Sequence, residues 1–100
     1  MSKIYYHATP YENLESIIKD QEIHRGCDGV VYLTEKPDEA VRFVAIRGYK
    51  KILVFGLELD DGKVSESFDH SEVFFKCKAY TYPEDIKLED CCGEIKTYTL

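Results

Sequence analysis

The chain has 100 residues, of which 44% are hydrophobic, 13% aromatic and 32% charged. This composition is typical of a folded globular protein and excludes a disordered chain, and the length leaves room for one domain spanning residues 1–100. Asp and Glu (19) outnumber Lys and Arg (13), which gives a formal net charge of −6. Because contacts to phosphates require clustered Lys and Arg, the charge argues against a nucleic-acid backbone as partner.

Targeting signals and cysteines set further expectations. The sequence has no run of about 18 apolar residues and no signal peptide, so we expect a cytoplasmic protein without a membrane partner. Nothing indicates secretion, so we expect Cys27, Cys77, Cys91 and Cys92 to be reduced. A zinc site that joins His24-x-x-Cys27 to the last two cysteines would lack paired C-x-x-C spacing, and no metal site is expected.

The first predicted element is a strand over Lys3–Ala8, which is rich in aromatic and β-branched residues. The next four residues have the form of a capping box, with Thr9 as N-cap, Pro10 at the first helical position and Glu12 completing the box. They predict a helix that ends near Asp20. Its apolar stripe comprises Leu14, Ile17 and Ile18.

The middle of the chain predicts two strands and a second helix. Glu22–Arg25 is a short strand, Gly26–Gly29 is a turn, and Val30–Thr34 is an apolar run suited to a buried strand. Pro37 marks the start of the helix and Gly48 follows its end. The buried side of this helix is predicted to comprise Ala40, Val41, Phe43 and Val44.

The remainder of the chain is mostly strand. Lys51–Leu59 reads as the longest strand, and the Asp-Gly turn in Asp60–Lys63 predicts a tight hairpin to a partner over Val64–Phe68. Another strand is predicted over Glu72–Ala79, and one or two more over Ile86–Thr99. Helices early and strands late predict an α+β fold with a mainly antiparallel, split sheet and two helices in the N-terminal half.

Three residues stand out because each lies at the edge of a predicted strand, where rigid scaffolds present functional groups. His7 precedes the first helix, Tyr32 lies in the apolar run, and Glu72 opens a late strand. Each also has a purely structural interpretation. His7 is then a hydrogen-bonded structural residue, Tyr32 part of the core, and Glu72 a solvated charge.

Together with their surroundings, these residues resemble the H-Y-E signature of the ADP-ribosyltransferase superfamily. The likeness lies in YYHAT leading into PYENLESIIKD, then VVYLTEKPDEAVRF, then SEVFFK. It covers roughly residues 4 to 86 in the family's order, and small bacterial or phage-type members and RNA 2'-phosphotransferases look similar in the first two blocks. The resemblance implies a minimal ADP-ribosyltransferase-like fold with NAD as cofactor.

The resemblance also implies roles for individual residues. His7 would bind the adenosine-side ribose, and the backbone of Ala8 would meet the nicotinamide carboxamide. Tyr32 would stack on the nicotinamide, and Glu72 would stabilise positive charge as the glycosidic bond breaks. Thr9 and Thr34 would be supporting hydroxyls, and Arg25 would contact the pyrophosphate.

These roles predict an NAD-dependent ADP-ribosyltransferase-like protein that transfers ADP-ribose to an unknown acceptor, such as a protein, or cleaves NAD. Where the family usually has Gly after its His, this chain has Ala8, so a catalytically inactive binding module is an alternative. The phosphotransferase alternative needs several basic groups, and the chain has only three arginines, Arg25, Arg42 and Arg47. A third alternative is a small acidic inhibitor of a basic partner, with acidic pairs at Asp60-Asp61, Glu84-Asp85 and Glu89-Asp90.

Overall fold

The computed structural model describes residues 2–25, 29–67, 79–92 and 95–100. In chain order the elements are β1 (Ser2–Pro10), α1 (Leu14–Asp20), β2 (Glu22–Ile23), β3 (Val31–Leu33), α2 (Pro37–Ala45), β4 (Lys51–Asp60), β5 (Ser65–Ser67), β6 (Ala79–Tyr82), β7 (Ile86–Lys87) and β8 (Lys96–Thr99). Every strand pair among the described residues is antiparallel. The predicted α+β class, mainly antiparallel with two helices in the N-terminal half, is confirmed.

The sheets are arranged around β4. It lies between β1 and β8, and β1 pairs with it along its full length, from Ser2 opposite Asp60 to Pro10 opposite Ile52. A second sheet has the order β3-β6-β5, and β2 pairs with β7. The two larger sheets meet through one bridge between β1 and the end of β3, at Tyr6 and Thr34.

The core lies on both faces of β4, where six consecutive residues, Ile52–Leu57, are buried. On one face, Phe55 and its neighbours pack with Ile17 of α1. On the other face, β4 packs against α2 through Val41 and Val44. Burial on both faces explains why β4 reads as a continuous apolar run instead of an alternating one. The predicted buried side of α2 is largely correct, although Phe43 is only half-buried.

The predicted capping box at Thr9 is wrong. The strand continues through Pro10, Thr9 pairs opposite Leu53, and α1 begins at Leu14 after a 3₁₀ turn. The Thr9 hydroxyl instead accepts a hydrogen bond from Asn13 Nδ2 at 2.8 Å. The long ladder between β1 and β4 therefore overrides the local capping preference of these residues.

The predicted hairpin between β4 and β5 is also wrong. The carboxylate of Asp60 accepts a hydrogen bond from the backbone N–H of Gly62 at 3.0 Å, and residues Asp61–Lys63 form a 3₁₀ turn. One edge of β4 pairs with β1 along the ladder and the other pairs with β8 over residues 51–54, while β5 joins β6 in the other sheet. The Asp-Gly signal marks a turn correctly but does not specify the strand partner.

Other sequence expectations concern the cysteines, the late strand and the membrane. Cys91 and Cys92 are free thiols, and burial raises the pKa of Cys91. Cys27, Cys77 and most of the strand predicted over Glu72–Ala79 lie outside the described residues. In the part of the chain that the structure describes, no helix is long and apolar enough to cross a membrane.

Candidate functional site

The candidate site lies where β1 and β3 separate. Thr34 and Tyr6 exchange two backbone hydrogen bonds, of 2.8 and 2.9 Å, and Thr34 therefore directs its N–H and C=O toward β1. Backbone groups of alternate residues in a strand point the same way, so the backbone N–H and C=O of Tyr32 also point toward β1. The His7 side chain contacts this part of β3, where its Nδ1–H donates to the Tyr32 carbonyl at 2.8 Å.

The environment of His7 keeps its imidazole neutral. Burial lowers the pKa of His7, the hydrogen bond to the Tyr32 carbonyl opposes this shift, and the positive charge of Arg47 adds to it. With its proton on Nδ1, the ring carries an accepting lone pair on Nε2. His7 can therefore orient a ligand hydroxyl without bringing a positive charge to the site.

A cleft of about 580 Å³ opens beside this hydrogen bond, between β1, β3 and the C-terminal end of α2. This volume lies in the range of about 300–1,000 Å³ that is usual for small-molecule sites. The cleft is lined by Tyr6, His7, Ala8, Thr9, Pro10, Glu12, Asn13, His24, Val30, Val31, Tyr32, Leu33, Thr34, Ala40, Phe43, Val44, Ile46, Arg47 and Tyr49. The lining combines apolar side chains, such as Val44 and Ile46, with polar ones, such as His7 and Arg47.

Five of the residues singled out in the sequence line this cleft: His7, Ala8, Thr9, Tyr32 and Thr34. His7 and Tyr32 are half-buried, so each is partly accessible to a ligand in the cleft. The two threonine hydroxyls already have partners in the fold. Besides the Asn13 contact of Thr9, Thr34 Oγ1 donates to the Lys36 carbonyl at 2.7 Å. Both threonines shape the wall of the cleft.

Two of the singled-out residues are not placed in the cleft. Arg25 does not line it, and its Nε and backbone N–H both donate to Asp85 Oδ1, at 3.1 and 2.9 Å. Arg25 is therefore held by Asp85 and not by the cleft. Glu72 lies outside the described residues, and its predicted role stays a prediction.

Sequence reasoning missed Arg47 and Tyr49 as cleft residues. They flank Gly48, whose positive φ of 95° turns the chain after α2 and directs it back along the cleft. The Arg47 guanidinium lies 5.7 Å from the centre of the Tyr49 ring, and among the described residues it forms no ion pair. An arginine immediately before a helix-ending glycine was the available signal, because this turn positions it beside the preceding strands.

Comparison with known proteins adds a likeness of fold. No protein-family model matches the sequence, and no curated protein matches it. The crystal structure of protein CC0527 from Caulobacter crescentus, a structural-genomics target, is similar with a TM-score of 0.63 at 8% sequence identity. The alignment covers 95% of this chain and 85% of that chain. At this identity the likeness shows that the two chains share a fold.

Proposed function

We propose that the cleft binds NAD and that the protein is a minimal ADP-ribosyltransferase-like enzyme. The observation that carries this proposal is the hydrogen bond from His7 Nδ1 to the Tyr32 carbonyl. It joins the His and the Tyr of the H-Y-E pattern at the wall of one cleft, although they lie far apart in the sequence. The meeting of the two sheets at the Tyr6–Thr34 bridge supports a split-sheet fold of this kind.

Each contact of the bound cofactor has a candidate residue. His7 Nε2 accepts a hydrogen bond from a ribose hydroxyl, and the Tyr32 ring stacks on the nicotinamide, a contact worth about 0.5–1.5 kcal/mol. The backbone of Ala8 meets the carboxamide. For the pyrophosphate we propose Arg47 in place of Arg25, because Arg47 lines the cleft and Arg25 is paired with Asp85.

The proposed chemistry is loss of nicotinamide from NAD. The bond between the ribose carbon and the nicotinamide nitrogen breaks, and its electron pair leaves with the nicotinamide. Positive charge then develops on the ribose, where the Glu72 carboxylate stabilises it. Water or the hydroxyl or amine of an acceptor adds to that carbon and loses a proton, which gives ADP-ribose or an ADP-ribosylated product.

Calorimetric titration with NAD tests binding. We expect wild-type protein to bind NAD and Tyr32→Ala to bind it more weakly by about tenfold, because the stacked ring is lost. Arg47→Gln should weaken binding of NAD and ADP-ribose but not of nicotinamide, which has no phosphate. The matched control is Arg42→Gln on the exposed side of α2, where Arg42 faces Asp38 at 3.8 Å. Equal affinities of the two arginine variants would contradict the role of Arg47.

Turnover is tested separately by the release of nicotinamide. Glu72→Gln removes the charge but keeps the size of the side chain, so it should bind NAD comparably and release nicotinamide at least about tenfold more slowly, a loss of roughly 1.4 kcal/mol of transition-state stabilisation. Equal release by both proteins contradicts a catalytic role for Glu72.

The second candidate is a catalytically inactive module that binds NAD. The observation in its favour is Ala8, which lines the cleft and packs against the cluster of α2 and β4 at the position where the family usually has Gly. Binding without nicotinamide release in wild type supports this candidate, and Ala8→Gly should then strengthen binding. If wild type does not bind NAD, both proposals fail, and the acidic surface becomes the next subject of study, by pull-down with basic proteins.

A further inference from the structure

A second group of polar side chains lies around His24, at the end of α1 and the start of β2. Gln21 has a positive φ of 56°, which turns the chain between the two elements and brings Asp20 and Glu22 near the His24 ring. The antiparallel pairing of β2 with β7 brings Asp85, just before β7, to the same ring. Three carboxylates therefore surround one imidazole.

The distances within this group suit a metal ion. His24 Nδ1 lies 3.4 Å from Asp85 Oδ2 and 3.9 Å from Glu22 Oε2, and the three ligand atoms lie within 4.8 Å of one another. Two ligands at about 2.1 Å from one ion are about 3.0–3.4 Å apart at octahedral or tetrahedral angles. Side-chain shifts of less than about 1 Å on an exposed surface would complete such a geometry.

Two further contacts orient the ligands. The second ring nitrogen, His24 Nε2, lies 3.0 Å from Asp20 Oδ2. Histidines that bind metals commonly donate their other ring N–H to a carboxylate, which fixes the tautomer and the direction of the ring. Asp85 is oriented as well, because its Oδ1 accepts from the backbone N–H and Nε of Arg25 while Oδ2 faces His24. These contacts hold the His24 ring and the Asp85 carboxylate toward each other.

We propose that Glu22, His24 and Asp85 bind one divalent transition-metal ion, with Asp20 and Arg25 as positioning residues. One imidazole nitrogen and two carboxylate oxygens suit zinc or manganese, and zinc binds such mixed sites more strongly than manganese. Water fills the remaining positions on the ion. The ion joins the end of α1 to β2 and β7, and it lies beside the cleft because His24 is also one of its lining residues.

This site differs from the zinc arrangement considered in the sequence, which joined His24 to cysteines. Here the ligands are oxygen and nitrogen only, and Cys27 has no part. The proposal is also independent of NAD, because its measurement is metal binding by the protein alone.

The experiment is calorimetric titration of chelator-treated protein with zinc chloride, near pH 8, well above the ordinary histidine pKa of about 6.5. We expect one zinc ion per chain and an increase in the melting temperature. Glu22→Gln and His24→Ala should each weaken zinc binding by at least about tenfold, and Asp20→Asn by about 10–100-fold through its effect on the ring. The control Glu58→Gln, an exposed carboxylate on β4, should bind like wild type.

Cobalt identifies the ligand atoms. Cobalt-loaded protein should show weak visible bands without an intense thiolate charge-transfer band, and Cys27→Ser should bind zinc like wild type. An intense thiolate band, or loss of binding in Cys27→Ser, overturns the proposal in favour of a cysteine site. Binding that His24→Ala and Glu22→Gln leave unchanged, or the absence of zinc binding by folded wild type, overturns it as well. Circular dichroism of each variant verifies that it is folded.

Discussion

His7 and His24 show how one residue type acquires opposite properties in two regions of the molecule. His7 lies on β1 opposite Phe55 of the buried strand β4, and burial lowers its pKa. The side chain of His24 is 53% exposed, and hydrogen bonds to Asp20 and Asp85 raise its pKa. Desolvation dominates in the first region, and hydrogen bonds to carboxylates dominate in the second. The first histidine is suited to accept a hydrogen bond from a neutral ligand group, and the second is suited to a site that holds positive charge.

The largest expected difference between the two regions is in the free energy of unfolding that is lost when an apolar side chain is truncated. Phe55, opposite His7 in the β1–β4 ladder, is fully buried, so Phe55→Ala should lower the free energy of unfolding by about 3–5 kcal/mol. Ile18→Ala is the control near the His24 region, because Ile18 on α1 is 46% exposed and its truncation should cost less than about 1 kcal/mol. Urea denaturation measures both. Similar losses for the two variants would contradict the contrast in packing.

The next effect concerns the histidines themselves. His7→Ala removes the donor to the Tyr32 carbonyl, and a half-buried carbonyl without its partner should cost about 1–3 kcal/mol. His24→Ala in metal-free protein should cost less than about 1 kcal/mol, because its ion pairs are exposed to solvent. The same denaturation measurement compares them, and a larger loss for His24→Ala would reverse the assignment of the two environments.

The dependence of the free energy of unfolding on pH distinguishes His7 from His24. Its pKa is lowered in the folded state, so the unfolded chain binds the proton more readily, and stability should decrease as pH falls below about 6.5, by up to about 1.4 kcal/mol per pH unit. The raised pKa of His24 moves its own transition above that value. We therefore expect His7→Gln to flatten the stability curve just below about pH 6.5. A wild-type curve as flat as that of the variant would contradict a neutral His7.

The smallest expected effect is at the surface. Without metal, Asp20→Asn should change the free energy of unfolding by less than about 0.5 kcal/mol, because the His24–Asp20 pair is exposed and screened by salt. The same substitution should have a clear effect on zinc affinity, as proposed above. A stability loss near that of His7→Ala would show that the surface group is part of the core structure.

Local signals were sufficient for much of the fold. Pro37 and Gly48 correctly bracket α2, and the apolar run of β4 corresponds to its burial on both faces. The sequence failed where tertiary pairing decides. Thr9 has the chemistry of an N-cap, yet the ladder with Leu53 keeps it in a strand. The Asp-Gly turn after β4 cannot reveal that β5 pairs with β6 and not with β4.

The candidate site was predictable in part for the same reason. His7 and Tyr32 stand out in the sequence because each lies at the edge of a predicted strand, and the structure brings both to one cleft. Arg47 was missed because its position depends on how α2 packs across β1, which no local pattern contains. Arg25 was considered because of its charge, but Asp85, distant in sequence, holds it elsewhere.

The pairing of β1 with β4 also determines the order in which the chain can assemble. β1 is synthesised before β4, and roughly forty residues intervene at the nearer end of the ladder, so the backbone groups that β1 directs toward β4 stay unpaired until β4 has been made. Closing such a long loop costs entropy before any contact compensates for it. Folding should therefore occur on the millisecond-to-second timescale of proteins with non-local strand pairing, and a nascent chain that ends before β4 lacks the central strand on which both sides of the core are built.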